Sequence, residues 1–163
     1  MFTFEIMKPA TLKEIKEELT NLPPQKVLDL CLRLARYKKE NKELITYLLF
    51  ESTDEHAYVE IVKKEMDDEF EGLPKPSLYL TKKSLRKVLK SITKYSKQLA
   101  SKQSEAEMRI YFCNKMKTAD IPLRRSTALL NLYNQQIKKI VAAVESLHED
   151  LHFDYKKQLE ELN

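Results

Sequence analysis

The sequence predicts an all-α protein of about eight antiparallel helices, forming a short α-α superhelix or a compact helical bundle. Three observations carry that expectation. Apolar residues recur at steps of three and four through nearly the whole chain, and no stretch shows the strict alternation of a half-buried strand. Tight hairpin turns need glycine, and Gly72 is the one glycine among 163 residues. Short breaks rich in proline, asparagine and serine separate the periodic stretches, so successive helices must reverse direction.

Thr11 and Glu14 form a capping-box pair that opens a first helix reaching about Leu19, and Asn21-Leu22-Pro23-Pro24 ends it. The prolines pre-set a second helix over about 24–39, with Val27, Leu28, Cys31, Leu34 and Ala35 on one stripe, widened by Leu30 and Leu32. Asn41 is the expected cap of a third, with Leu44, Ile45, Leu48 and Leu49 inward; apolar on most sides, it is the expected centre of the molecule. Asp54 starts a fourth, carrying Ala57, Tyr58, Ile61, Val62 and Met66 on one face and ending near Gly72.

Leu73-Pro74-Lys75-Pro76 cannot continue a helix, because each proline removes an amide donor and restricts the residue before it. Residues 72–76 are therefore the expected internal subdivision of a single domain spanning 1–163. A fifth helix follows, then a sixth opened by Ser104 with Glu107 and reaching about Lys117. Asp120 and Pro122 start a seventh, with Leu129, Leu130, Tyr133, Ile137, Ile140, Val141 and Val144 at helical spacing. The last, about 148–162, is weakly apolar through Leu151, Tyr155, Leu159 and Leu162. Lys26-Val27-Leu28 is faintly echoed by Lys87-Val88-Leu89, as a duplicated helix pair would leave it.

Composition narrows the function classes. The scarcity of glycine argues against phosphate loops and dinucleotide turns, so no cofactor is expected. Cys31 and Cys113 both fall among apolar residues and neither has a C-x-x-C partner; they are expected to be reduced core thiols of a cytoplasmic protein. The stretch from Met1 to Met7 is short and interrupted by Glu5, so no secretory signal is expected there. No apolar run approaches the roughly 18 residues of a spanning helix, and no membrane partner is expected.

Charge is the sharpest feature. From Gly72 to Ser104 there are nine basic residues and no acidic one. Residues 1–71, 72–126 and 127–163 carry nets of −5, +11 and −2, so a basic middle lies between acidic ends. In the fifth helix Leu85, Val88, Leu89, Ile92, Tyr95 and Leu99 lie opposite the cations, which must face solvent or a partner. The candidate binding residues are Lys83, Arg86, Lys87, Lys90, Lys94 and Lys97, joined by Arg124 and Arg125. A row of lysines tracks a phosphate backbone by charge and shape, without the arginine forks or stacking aromatics that read bases. The competing reading is a solvated face neutralised by Glu65, Asp67, Asp68, Glu69 and Glu71. Arg124 and Arg125 are expected in the first turns of the seventh helix, where cations oppose the macrodipole. An anion nearby, held with help from Ser126 and Thr127, or a salt bridge to another helix would answer them.

His148-Glu149-Asp150-Leu151-His152 fits the H-E-x-x-H form, in which two histidines one helical turn apart share zinc and the glutamate activates water. A third ligand would have to come from His56, Asp154, Glu160 or Glu161, and the pattern lies in a polar terminal helix, so no metal ligand is assigned. The favoured reading is a non-enzymatic binding or adaptor module that contacts a protein partner or self-associates. Sequence-nonspecific nucleic-acid binding through the basic helix 82–97 is the alternative, and zinc hydrolysis at the histidine pair a remote one.

Overall fold

Capping fixes most of the element boundaries in the computed structural model, which describes residues 8–163. The segment from Met1 to Met7, and the expectation about a secretory signal that rests on it, lie outside the described residues. Eight α-helices and no strand are present among the described residues, so the chain is all-α. They are α1 (Leu12–Thr20), α2 (Pro24–Tyr37), α3 (Lys39–Thr46), α4 (Glu55–Glu71), α5 (Leu78–Leu99), α6 (Lys102–Thr118), α7 (Thr127–Glu145) and α8 (Glu149–Leu162). A π-helical turn, Tyr47–Glu51, follows α3, and a 3-10 turn, Leu123–Arg125, precedes α7. No helix is long and apolar enough to cross a membrane.

The chain divides into two compact units between Leu49 and Phe50. The Leu73-Pro74-Lys75-Pro76 segment does end α4, but it lies within the second unit. Leu73 is buried there, and the Thr81 hydroxyl donates to the Pro74 carbonyl at 3.0 Å.

In the first unit the Thr11–Glu14 capping box forms as expected: the Thr11 hydroxyl accepts from the Glu14 amide at 3.3 Å and Glu14 reaches back to the Thr11 amide at 2.7 Å. Helix α3 begins at Lys39, one turn earlier than its expected cap, because Asn41 spends its side-chain amide on the Leu34 carbonyl (2.8 Å) and so ties α3 to the end of α2. The third helix, expected at the centre, carries no buried residue, and neither do α1 and α2. Cys31, expected in the core, is exposed with Leu28 and Leu34, while Val27 and Ala35 of the same stripe are half-buried.

The core belongs to the second unit, and α6 is its axis. This helix packs against α4, α5, α7 and α8, and Ala106, Met108, Phe112, Cys113 and Met116 are completely buried. Most side chains of α6 face one of these neighbours, leaving a narrow polar stripe at Gln103, Asn114 and Thr118, and Arg109 and Ser104 are buried with the apolar residues. The helix opens one residue-turn before the expected box: Ser101 accepts from the Ser104 amide at 3.2 Å, which frees the Ser104 hydroxyl to donate to Glu55 of α4. Helix α4 buries Val62 and Met66 as expected, adds Val59 and Phe70, and leaves Ile61 exposed. Phe70 meets Phe112 edge to face, with centroids 5.6 Å apart.

Tyrosines then lock the helices in register. Tyr58 donates to Gln98 (2.9 Å) and Tyr95 to Glu65 (2.9 Å) across α4 and α5, and Tyr111 donates to Asp67 (2.7 Å) between α6 and α4. Tyr133 of α7 donates to the Leu162 carbonyl of α8 (2.6 Å). Tyr133 is buried and the other three are half-buried; each covers part of its ring while its hydroxyl finds a partner, the condition under which a tyrosine stabilises.

A cationic groove between α5 and α7

The basic helix forms with the expected inward set: Leu85, Val88, Ile92 and Leu99 are buried. Its cations, however, do not form one face. Residues four apart share a flank of a helix, and α5 has two flanks with opposite surroundings.

Toward α4, Lys87, Ser91 and Tyr95 line a hollow of about 230 Å³ with Glu65, Asp68 and Glu69. Here the acidic end of α4 faces the basic helix, and Tyr95 is bonded to Glu65. Lys87 thus belongs to the neutralised flank that the sequence offered as the competing reading. Lys94 lies over the Tyr95 ring at 5.9 Å. Lys83 and Lys97 are exposed.

Toward α7 the flank is different. Lys82, Arg86 and Lys90, at successive steps of four, line a groove of about 510 Å³ whose far wall carries Lys139 and whose lining includes Arg109 and Gln136. A rise of about 1.5 Å per residue sets these three α5 cations about 6 Å apart along the groove. No carboxylate lines it. None of Lys82, Arg86, Lys90 and Lys139 has an ion-pair partner among the described residues.

The buried members of the lining are held from beneath. Arg109, only 2% exposed, donates from Nε to Glu105 at 3.2 Å and from Nη1 to the Gln136 side-chain oxygen at 2.7 Å. Gln136, itself 3% exposed, returns its amide to the Leu132 carbonyl at 3.4 Å. Burial alone would raise the Glu105 carboxyl, but its hydrogen bond from Lys102 and the charge of Arg109 outweigh burial and hold it below the usual carboxylate range. Glu105 therefore neutralises Arg109, and the four groove cations remain uncompensated. A buried guanidinium without such partners would cost several kcal/mol.

The structure brings together only part of the sequence-derived set. Of those residues, Arg86 and Lys90 line the groove, while Lys83, Lys87, Lys94 and Lys97 do not. Arg124 and Arg125 are exposed in the 3-10 turn and precede the Ser126 cap of α7 rather than occupying its first turns. They are not part of the groove lining. Lys82, Arg109, Gln136 and Lys139 were not candidates. The signal that marks Arg109 and Gln136 is a polar residue at a core-facing spacing, in α6 and α7 respectively; no such signal marks Lys82 or Lys139.

The histidine pair does not form a metal face. His148 is the cap of α8, outside its helical turns, and its Nδ1 lies 3.3 Å from the Asp150 amide. His152 turns its Nε2 to the Leu147 carbonyl at 2.8 Å. Among the described residues no group of three or more His, Cys, Asp or Glu side chains is placed to hold a metal ion. No protein-family model, no curated protein and no solved structure matches this chain.

Proposed function

We propose that the chain is a non-enzymatic helical binding module whose amino-terminal unit docks on a protein surface through the apolar faces of α1 and α2, a second copy of the chain being the simplest occupant. One observation carries this reading. Leu28, Leu30, Leu32 and Leu34 of α2 are 41–56% exposed, and Ile15 of α1 is 43% exposed. Leu30 and Leu34, one turn apart, share one side of α2 and Leu28 and Leu32 the other; burying such a side chain contributes about 1.5–3 kcal/mol, so these exposed side chains leave a large unspent driving force. A unit of this size has too little core to be stable by itself, and association is an ordinary remedy. Residues 1–49 carry nine basic and seven acidic groups, so two copies would not repel strongly.

Sedimentation velocity over a range of concentrations tests it. The expected result is a concentration-dependent dimer that the double substitution Leu30→Asp, Leu34→Asp reduces to a folded monomer. A wild-type monomer whose α1 and α2 amides exchange slowly with solvent would show that the chain itself covers these leucines, and the reading would fall.

A further inference from the structure

We propose that the groove between α5 and α7 binds the phosphates of a single nucleic-acid strand. The site is independent of the apolar faces of α1 and α2 and lies wholly within the second unit. Four cations without ion-pair partners converge on one concavity from two helices, and such an arrangement is costly in self-repulsion unless an anion occupies it at least part of the time. Lys87, on the opposite flank of the same helix, faces Glu65, Asp68 and Glu69, whereas no carboxylate lines the flank of Lys82, Arg86 and Lys90.

Geometry favours a strand over a duplex and over an isolated small anion. Lys82, Arg86 and Lys90 form a row about 12 Å long, at regular steps of one helical turn, as repeated charges on a linear ligand require. The cations line the two sides of an open groove, with Arg86, Lys90 and Lys139 exposed along it, so a strand can lie between them, whereas reading a duplex groove needs a helix that stands proud. Arg86 offers a planar fork to a phosphate and the lysines offer point charges. Opposite them, Asn131 and Gln135 of α7 present amides able to bond either sugar hydroxyls or base edges. No aromatic residue lines the groove. Stacking is therefore not part of the recognition, and binding follows charge and spacing with little preference for sequence.

The test pairs two variants of the full-length chain that change net charge equally on the same two helices. Lys82→Glu with Lys139→Glu alters the groove, while Lys83→Glu with Lys138→Glu alters the adjacent positions, which do not line it. Fluorescence anisotropy with short labelled single-stranded DNA and RNA is measured at about 50 and about 200 mM salt. The wild type is expected to bind at low salt and to weaken steeply with salt. The groove variant should lose about tenfold or more in affinity and about 1.4 from its salt slope, the share of two phosphate contacts on a single strand, while the adjacent variant loses less than about threefold. Should the charge reversal prevent folding, as judged by circular dichroism, Lys82→Gln with Lys139→Gln replaces it and is expected to act in the same direction.

Equal loss in the two variants would reduce the binding to net charge and overturn the assignment. So would absence of binding at the lower salt, or a blunt-ended duplex that binds as tightly as the strands. Inorganic tripolyphosphate matching the oligonucleotide in affinity would make the groove a small-anion site instead.

Discussion

Ala100 closes α5 in the left-handed region, at φ 49° and ψ 31°, with its amide bonded to the Ser96 carbonyl. That conformation crowds a Cβ against the backbone by about 1–2 kcal/mol, which is why glycine usually occupies it. The chain's one glycine stands elsewhere. Gly72 caps α4 at φ −85°, where any residue is comfortable, and a Cβ there would meet nothing closer than the Asp68 carbonyl oxygen at 3.7 Å. The two positions thus predict stabilisation from opposite exchanges. Ala100→Gly should add about 1 kcal/mol by relieving the native strain, and Gly72→Ala about 0.4–1 kcal/mol by stiffening the unfolded chain. Each should raise the midpoint of thermal unfolding, followed by circular dichroism, by about 2–4 °C. A fall in either variant would show that the local backbone differs from that described.

At the scale of the element, α5 decides between the two readings of its charge, and it gives both answers. Lys87 faces Glu65, Asp68 and Glu69, whereas Lys90 faces Arg86, Lys82 and Lys139. Charge reversal should therefore act with opposite sign on the two flanks. Lys87→Glu is expected to destabilise by about 0.5–1 kcal/mol at low salt, and Lys90→Glu to be neutral or slightly stabilising, both effects shrinking as salt is added. Urea titrations of the two variants at two salt concentrations check this; equal destabilisation would mean that the flanks are not distinct. The contrast also marks how far the sequence could be read. Spacing and the signals at Thr11, Pro23-Pro24 and Asp54 sufficed for α1, α2 and α4, since those signals are local, whereas α7 begins at its Ser126 cap and not at Asp120 and Pro122. The inward set of α5 was legible for the same reason. Which flank of α5 meets acid and which meets Lys139 depends on the helices beside it, and that is set by packing between residues up to fifty-seven positions apart. The same limit hid the role of α6: its polar residues Ser104 and Arg109 dilute the apolar pattern, because their partners Glu55 and Gln136 lie on other helices. Conversely, Leu44, Ile45, Leu48 and Leu49 made α3 look central, although hydropathy records only a preference for burial and not whether a neighbour supplies it.

Across the molecule, the groups that join the helices of the second unit are acids whose protons the fold retains. Burial pushes the Cys113 thiol up to about 12 from an ordinary value of 9.0. Burial, with the hydrogen bond to Asp67 as the next cause, pushes the Tyr111 hydroxyl up to about 12. Burial does the same for Tyr133, to about 12, and moves Tyr155 upward. All four are neutral in both folded and unfolded chains below about pH 9, so their stabilising contribution is fully present there. Above that the unfolded chain releases protons that the folded one keeps, and stability must fall with each step toward about pH 12. Asp67 works at the other end: hydrogen bonds from Lys115 and then Tyr111 hold it below its ordinary value of 3.8, so its contribution is present above that value and lost as pH falls through the folded one. Because three tyrosines and a thiol share one helical core, the alkaline limit is expected to be the steeper. Urea midpoints measured from about pH 7 to about pH 11 should be level at first and then decline from about pH 9. Cys113→Ala should start from a lower midpoint, for the packing it loses around a fully buried site, yet decline less steeply over the same interval, because one of the retained protons is gone. A wild-type midpoint that stays level to about pH 11 would mean that these groups ionise without unfolding, and that α6 is open to water rather than enclosed by its four neighbours.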